Sequence, residues 1–307
     1  MGLILAVGSY SAHIDFIDND AVLWYFWQLP EHTTAGFVTA WLGYTLHQLG
    51  SWWLIFLAKK QRPKYRHGLH PINLYALMFN ALFVLLHIVQ TKIWYDGTAQ
   101  SVSVLISQFS VIFLLVVVLI MENPRRGMFF GKKVPIKQQV VRFLRKYHGY
   151  YFSWAIIFTF WYHPIELTGG HLLGTFYIFL LMMQGSLFFT HFHRNRFWTT
   201  TLEVYVLFHG AVVAYLSPIQ SMSTVAMFVF GFFAVFVVTQ IHGLGVSRRV
   251  IVGTVVFYLC CVIGYYWPNL AEANAVIRVP MIEYGFALLV VVLVWLGLFI
   301  TQRGTTQ

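Results

Sequence analysis

Charged residues are scarce in this chain. They make up 10% of its 307 residues, whereas a soluble domain carries about a quarter. A water-exposed globule of this length has too much surface to hide a sequence that is 59% hydrophobic, so that class is excluded. Acidic residues are scarcer than basic ones, ten against twenty, for a net charge of +10. Cysteine is nearly absent. Cys260 and Cys261 are neighbours in an apolar run and point in different directions on a helix, so they form neither a structural disulfide nor a thiolate metal site. No lysine follows Lys146, which excludes a retinal Schiff base in a late span. A Walker loop, a GxGxxG turn, a GxSxG elbow and an HExxH helix are all missing, and with them the enzyme classes they mark.

What is present is long apolar sequence. Continuous runs such as Val102 to Met121 and Phe286 to Ile300 have the length that a helix needs to cross a bilayer, about 20 residues. They lack the strict alternation of a membrane β-barrel. The expected fold is therefore all-α, a polytopic transmembrane bundle of nine spans at about 33–58, 70–95, 101–121, 147–165, 170–191, 198–217, 221–241, 248–268 and 280–302. Pro71, Pro164, Gly169, Gly170, Pro218, Pro268 and Pro280 punctuate the joins.

The basic residues supply an internal test. With the N-terminus outside and the C-terminus in the cytoplasm, eighteen of the twenty Lys and Arg fall in cytoplasmic segments, and only Lys92 and Arg278 fall outside. Seven of the ten acids lean outward. A missed or invented span would scramble that alternation, so the positive-inside rule supports both count and orientation. It also explains the net charge without nucleic acid. The chain is expected in a bacterial inner membrane or its equivalent, basic loops inside.

Residues 1–32 read as an extracytoplasmic interfacial segment, with Asp15, Asp18, Asp20 and the aromatic run Trp24 to Trp27 at headgroup level. The apolar start lacks a basic n-region, so a cleaved signal peptide is not expected. Residues 33–302 read as one transmembrane domain, interrupted by a basic cytoplasmic connection at 122–146, and 303–307 as a cytoplasmic tail. Residues 135–146 read either as an amphipathic helix on an anionic leaflet or as a solvated basic loop.

Thirteen histidines outnumber the ten acids. A polar residue at membrane depth is costly and by default a functional candidate. The cytoplasmic group comprises His67 and His70, His148, His191 and His193, and His242. Neutral imidazole is the commonest metal ligand, and such a set suits iron, copper or zinc. Glu203, in the inner half of the sixth span, is the candidate catalytic carboxylate, a proton relay or ligand. Glu283 lies near the outer end of the ninth. The abundance and cytoplasmic sidedness of these histidines resemble those of membrane fatty-acid desaturases and hydroxylases, although the HxxxH and HxxHH boxes of those families are absent. A second ligand pool, His47, His87, His163 and His209, suits a b-type haem. Gly43 and Gly50 flank His47 on its own face, where a porphyrin would approach the backbone. The remaining histidines, aromatic clusters and intramembrane amides (Asn80, Gln90, Gln108, Gln184 and Gln240) also fit helix ends, interfacial belts and interhelical contacts.

The expected function is a histidine-rich membrane oxidoreductase or redox subunit. It would hold non-haem iron or haem b, with copper or zinc as variants, and act on a hydrophobic substrate dissolved in the membrane lipid. An electron-donor protein would dock on the basic face. Two alternatives stand beside it: a structural or assembly subunit of a larger membrane complex, and a proton- or cation-coupled transporter or channel.

Overall fold

The computed structural model describes the chain except residues 10–13, 18–24, 217–221 and 305–307. His13, Asp18, Asp20, Trp24 and Pro218 therefore lie outside the described residues. Among the described residues the regular structure is all helical, with two isolated bridges and no strand. After the short α1 (Gly2–Val7) come α2 (Thr34–Gln61), α3 (Pro71–Trp94), α4 (Val104–Arg126), α5 (Gln138–Tyr162) and α6 (Gly169–Ser186). Then follow α7 (Arg196–Leu216), α8 (Met222–Val238), α9 (Arg248–Tyr266) and α10 (Arg278–Gly304). Each of α2 to α10 overlaps one expected span in chain order. Among the described residues, five helical stretches are long and apolar enough to cross a membrane: Pro71–Trp94, Val104–Arg126, Arg196–Leu216, Met222–Gly243 and the run Arg248–Thr301.

Local chemistry sets the helix ends. Thr33, Thr168 and Ser247 cap α2, α6 and α9, each side chain accepting the backbone N–H three residues on. α3 opens on a capping box. Its Pro71 needs no N–H partner, and the His70 N–H donates to Asn73 Oδ1 at 2.7 Å. α2 closes on Arg62 in the left-handed region, with Lys59 and Lys60 in the last turn facing the negative end of the dipole.

The basic connection is shorter than expected. α4 runs to Arg126, and α5 starts at Gln138 and continues unbroken to Tyr162. No strong helix breaker separates the basic start of α5 from its apolar continuation, so residues 138–146 are the first turns of the long helix. Val140, Val141 and Leu144 bury their side chains there. The remaining loop is folded: the Asn123 amide both donates to the Val134 carbonyl and accepts from its N–H, each at 2.9 Å.

The sequence reads as one transmembrane domain, and its residues sort into two compact units interleaved along the chain. Unit 1 is Met1–Ile112 with Gly149–Asn195, and unit 2 is Phe113–His148 with Arg196–Gln307. In unit 1, α2 packs on α3 and α3 on α6. In unit 2, α8 is the hub, touching α7, α9 and α10. Its Gly231 lets Val279 approach where a Cβ would stand 2.7 Å away. The 3₁₀ segment Trp267–Ile277 also lies along α8, and Asn269 within it departs from helical geometry. Large apolar side chains of α2, α3, α9 and α10 stay exposed, Trp53, Met78, Phe257 and Leu293 among them, as a hydrocarbon-facing surface requires.

Candidate functional site

On α3, Asn73, Asn80 and His87 recur every seven residues, with Gln90 one turn further. Seven residues are close to two helical turns, so all four share one stripe. Asn73 and His87 are fully buried. Around this stripe unit 1 builds a polar seam.

His47 of α2 is also fully buried. The Trp161 indole N–H donates to its Nδ1 at 3.2 Å, so the ring proton sits on Nε2, which donates to Asn80 Oδ1 at 2.8 Å. The Asn80 amide donates to Ser186 Oγ at 3.0 Å, and that hydroxyl to the Met182 carbonyl at 2.8 Å. Below it, the Asn73 amide donates to the carbonyls of Ser186 and Phe188 at 2.8 and 2.9 Å. Stacking fixes both rings. His47 lies on Phe83 with centroids 4.4 Å apart, and His87 packs on Trp161 at 4.3 Å.

His87 differs from His47. Its Nε2 faces the His163 carbonyl at 2.9 Å and its Nδ1 faces Gln90 Oε1 at 3.1 Å. The Gln90 amide is oriented by donating its N–H to the Asp96 carbonyl. Both partners of His87 are acceptors. A neutral imidazole donates from one nitrogen only, so the second contact is satisfied when the ring carries a second proton.

Beyond His87, the Tyr25 hydroxyl is hydrogen-bonded to His163 Nδ1 at 2.7 Å and His171 Nε2 at 3.3 Å. Thr168 Oγ1 meets His171 Nδ1 at 2.8 Å. Tyr25 and Tyr162 also border a cleft of ≈ 200 Å³ with Gln28, Gln100, Ser101 and Ser103. The Gln100 amide and the Tyr162 hydroxyl have no hydrogen-bond partner among the described residues. Burial raises the Tyr25 hydroxyl well above the ordinary tyrosine range, aided by Tyr95 and Tyr162 beside it. Asp96 follows α3 and is buried against the first turn of α2, where a Cβ on Gly36 would collide with it. Neither of its carboxylate oxygens has a partner among the described residues, and burial pushes it up to about 7. Glu166 accepts from Ser9 Oγ at 2.5 Å.

The haem-ligand pool is divided between the units. His47, His87 and His163 belong to unit 1 and His209 to unit 2. Both nitrogens of His47 are engaged. A Cβ on Gly43 would collide with Trp161, and one on Gly50 with Phe79, so aromatic rings fill the backbone faces expected to receive a porphyrin. The residues around His47 do not fit a haem. His209 Nδ1 is buried without a partner among the described residues.

Three of the six histidines expected on the cytoplasmic side are tied to carbonyl groups. His70 Nε2 donates to Lys64 O at 3.1 Å, His148 Nδ1 to Arg145 O at 2.7 Å and His193 Nδ1 to Gln184 O at 2.9 Å. His242 packs against Gly131 and Phe130. His67 and His191 pair, with ring centroids 4.5 Å apart. Among the described residues, no three His, Cys, Asp or Glu side chains gather closely enough to hold a metal ion.

Unit 2 has a different centre. Arg126 is buried and donates through Nη1 and Nη2 to Glu203 Oε1 and Oε2 at 3.0 and 2.6 Å. Both Glu203 oxygens are thereby committed. Glu283 feels the charges of both partners. The adjacent Tyr284 hydroxyl meets Thr239 Oγ1 at 2.7 Å, just past the C-terminal end of α8. The 3₁₀ segment runs along α8 before α10 begins, and Glu283 is in the second turn of α10.

Several of these residues escaped the sequence reading. Arg126 was counted as a loop charge because it is next to Arg125, whereas it is buried. Ser186 and Trp161 carry no distinguishing local signal. Asn73 does, through its seven-residue spacing to Asn80 and His87. No family model, no curated protein and no solved structure matches this chain.

Proposed function

We propose that this protein is a proton-coupled transporter or channel of the membrane. It crosses nine times with the N-terminus outside and its basic loops in the cytoplasm, in a bacterial inner membrane or its equivalent. The ninth crossing runs through the 3₁₀ segment and α10. The charge partition and the overlap of α2 to α10 with the expected spans support that topology. The observation that carries the function is His87, a buried imidazole with an oxygen acceptor on each ring nitrogen. A proton loaded there from the Tyr25–His163–His171 cluster would be held by two acceptors. His47, Asn80, Ser186 and Asn73 extend the polar line towards His70. Trp161, which touches both histidine rings, stands between the two halves.

The test is proton uptake by liposomes containing the purified protein, followed with an internal pH dye under an imposed potential. Uptake above protein-free liposomes, lost in His87→Phe and in His47→Phe, is the expected result. Uptake equal to protein-free liposomes under every gradient overturns the proposal.

A second reading keeps a histidine-ligated metal and an oxidoreductase function, and the closeness of His67 and His191 favours it. Elemental analysis and a reduced-minus-oxidised spectrum address it directly. Iron, copper or zinc at fixed stoichiometry, lost in His67→Ala/His191→Ala, would put this reading first.

A further inference from the structure

Two loops of unit 1 are joined by backbone. The Arg66 N–H donates to the Phe189 carbonyl at 3.3 Å, and the His191 N–H to the Arg66 carbonyl at 2.9 Å. Phe189 holds φ 60, a left-handed conformation that a side chain rarely adopts. The join brings together segments 59–70 and 187–195, which carry Lys59, Lys60, Arg62, Lys64, Arg66 and Arg194 with four histidines and no acid. Tyr65 packs on Phe189 and lies under the Arg194 guanidinium at 5.1 Å. Among the described residues, Lys64, Arg66 and Arg194 pair with no carboxylate. Like charges repel, yet here the fold holds them together with hydrogen bonds and a strained turn, so the balancing anion has to come from outside the chain. Tyr65, Leu69 and Phe192 are exposed beside them, the amphipathic and apolar anchors of a headgroup-level surface.

We infer that this paired-loop surface binds the phosphate of an anionic phospholipid headgroup, with Lys64, Arg66 and Arg194 as its donors. Guanidinium groups match phosphate oxygens bidentately, and lysine adds a point charge. The inference rests on the membrane reading and not on proton transfer.

The experiment reconstitutes the full chain into phosphatidylcholine vesicles containing phosphatidylglycerol, extracts it gently and weighs it by native mass spectrometry. Wild type should retain phosphatidylglycerol above its share of the bilayer. Lys64→Gln/Arg66→Gln/Arg194→Gln should lower that preference on the order of a hundredfold, since each basic residue near an anionic surface contributes about fivefold. The charge-conserving Lys64→Arg/Arg66→Lys/Arg194→Lys should keep most of it. Should the glutamine variant fail to fold, wild type alone decides, because a preference that persists undiminished in high salt is not electrostatic and overturns the inference. Equal retention of the two lipids also overturns it. So does displacement of phosphatidylglycerol by inorganic phosphate, which would mark a site for the free ion. Failure to enter vesicles at all would remove the membrane reading itself.

Discussion

The seam of unit 1 is built of imidazole, amide, hydroxyl and backbone groups, with the carboxyl groups of Asp96 and Glu166 buried apart from it, whereas unit 2 gathers a guanidinium and two carboxyl groups at one place. In unit 1 most donors have a named acceptor, and the groups run from Tyr25 to His70. In unit 2 the charges meet at one place, Arg126 with Glu203 and Glu283. A neutral seam costs little to bury and passes a proton by small changes of partner. A buried ion pair is costly to desolvate and holds its geometry only while both partners are present. Under the proposed function, protons would move through the seam of unit 1, while the Arg126–Glu203 pair of unit 2 ties α4 to α7.

The largest expected effect is therefore in unit 2. Arg126→Met leaves Glu203 buried and uncompensated, and should destabilise the protein by about 3–5 kcal/mol. Arg126→Met/Glu203→Met should recover most of that loss. Thermal unfolding of the two variants in detergent checks this, and a double variant no better than the single one would break the comparison. Next is the packing around His47. Gly43→Leu drives a side chain into Trp161 and should cost about 1–3 kcal/mol, with proton uptake falling in parallel. Asn80→Leu should separate stability from function. An interhelical hydrogen bond in a membrane contributes only about 0.6 kcal/mol, so unfolding should barely shift while uptake is lost. If uptake persists, the seam is only structural.

The smallest effect is a pH dependence at Asp96. Burial raises its folded value to about 7 from the ordinary 3.8. The folded state thus binds the proton more tightly than the unfolded chain, so this contribution to stability is complete below about pH 4. It declines as the pH rises and is gone above about pH 7. Asp96→Asn should flatten the melting temperature across that window and raise it at neutral pH.

The helices were legible because each needs only a long apolar run, and such runs cannot be arranged in water. The beginning of α5 was legible as one of the two readings of residues 135–146, the amphipathic helix: the charges of Lys137, Arg142, Arg145 and Lys146 look like loop in a hydropathy count, but Val140, Val141 and Leu144 among them are apolar and buried. The site was partly legible. His47 and His87 stand out by depth, and both are buried centres of the seam. Their roles were not legible, because a free ligand nitrogen and one hydrogen-bonded to Trp161 or to Gln90 look identical in sequence. Arg126 illustrates the reverse error. Adjacent arginines share an address in the chain, yet Arg125 reaches the Gly243 carbonyl at 2.8 Å while Arg126 turns inward to Glu203. The nearness of Glu283 to Arg126 and Glu203 was not legible, because it depends on a segment with no clear sequence signature, the 3₁₀ run along α8.

The seam also imposes an order on biogenesis. His47 waits for a donor 114 residues downstream at Trp161, and Asn80 for a hydroxyl 106 residues downstream at Ser186. A chain released after His148 holds α2 and α3 with their imidazoles and amides but neither closing partner. If the nine-span proposal holds, those two helices would enter the membrane during synthesis without these partners until α5 and α6 emerge. An insertion chaperone or a delay in lateral release would be most needed in that interval.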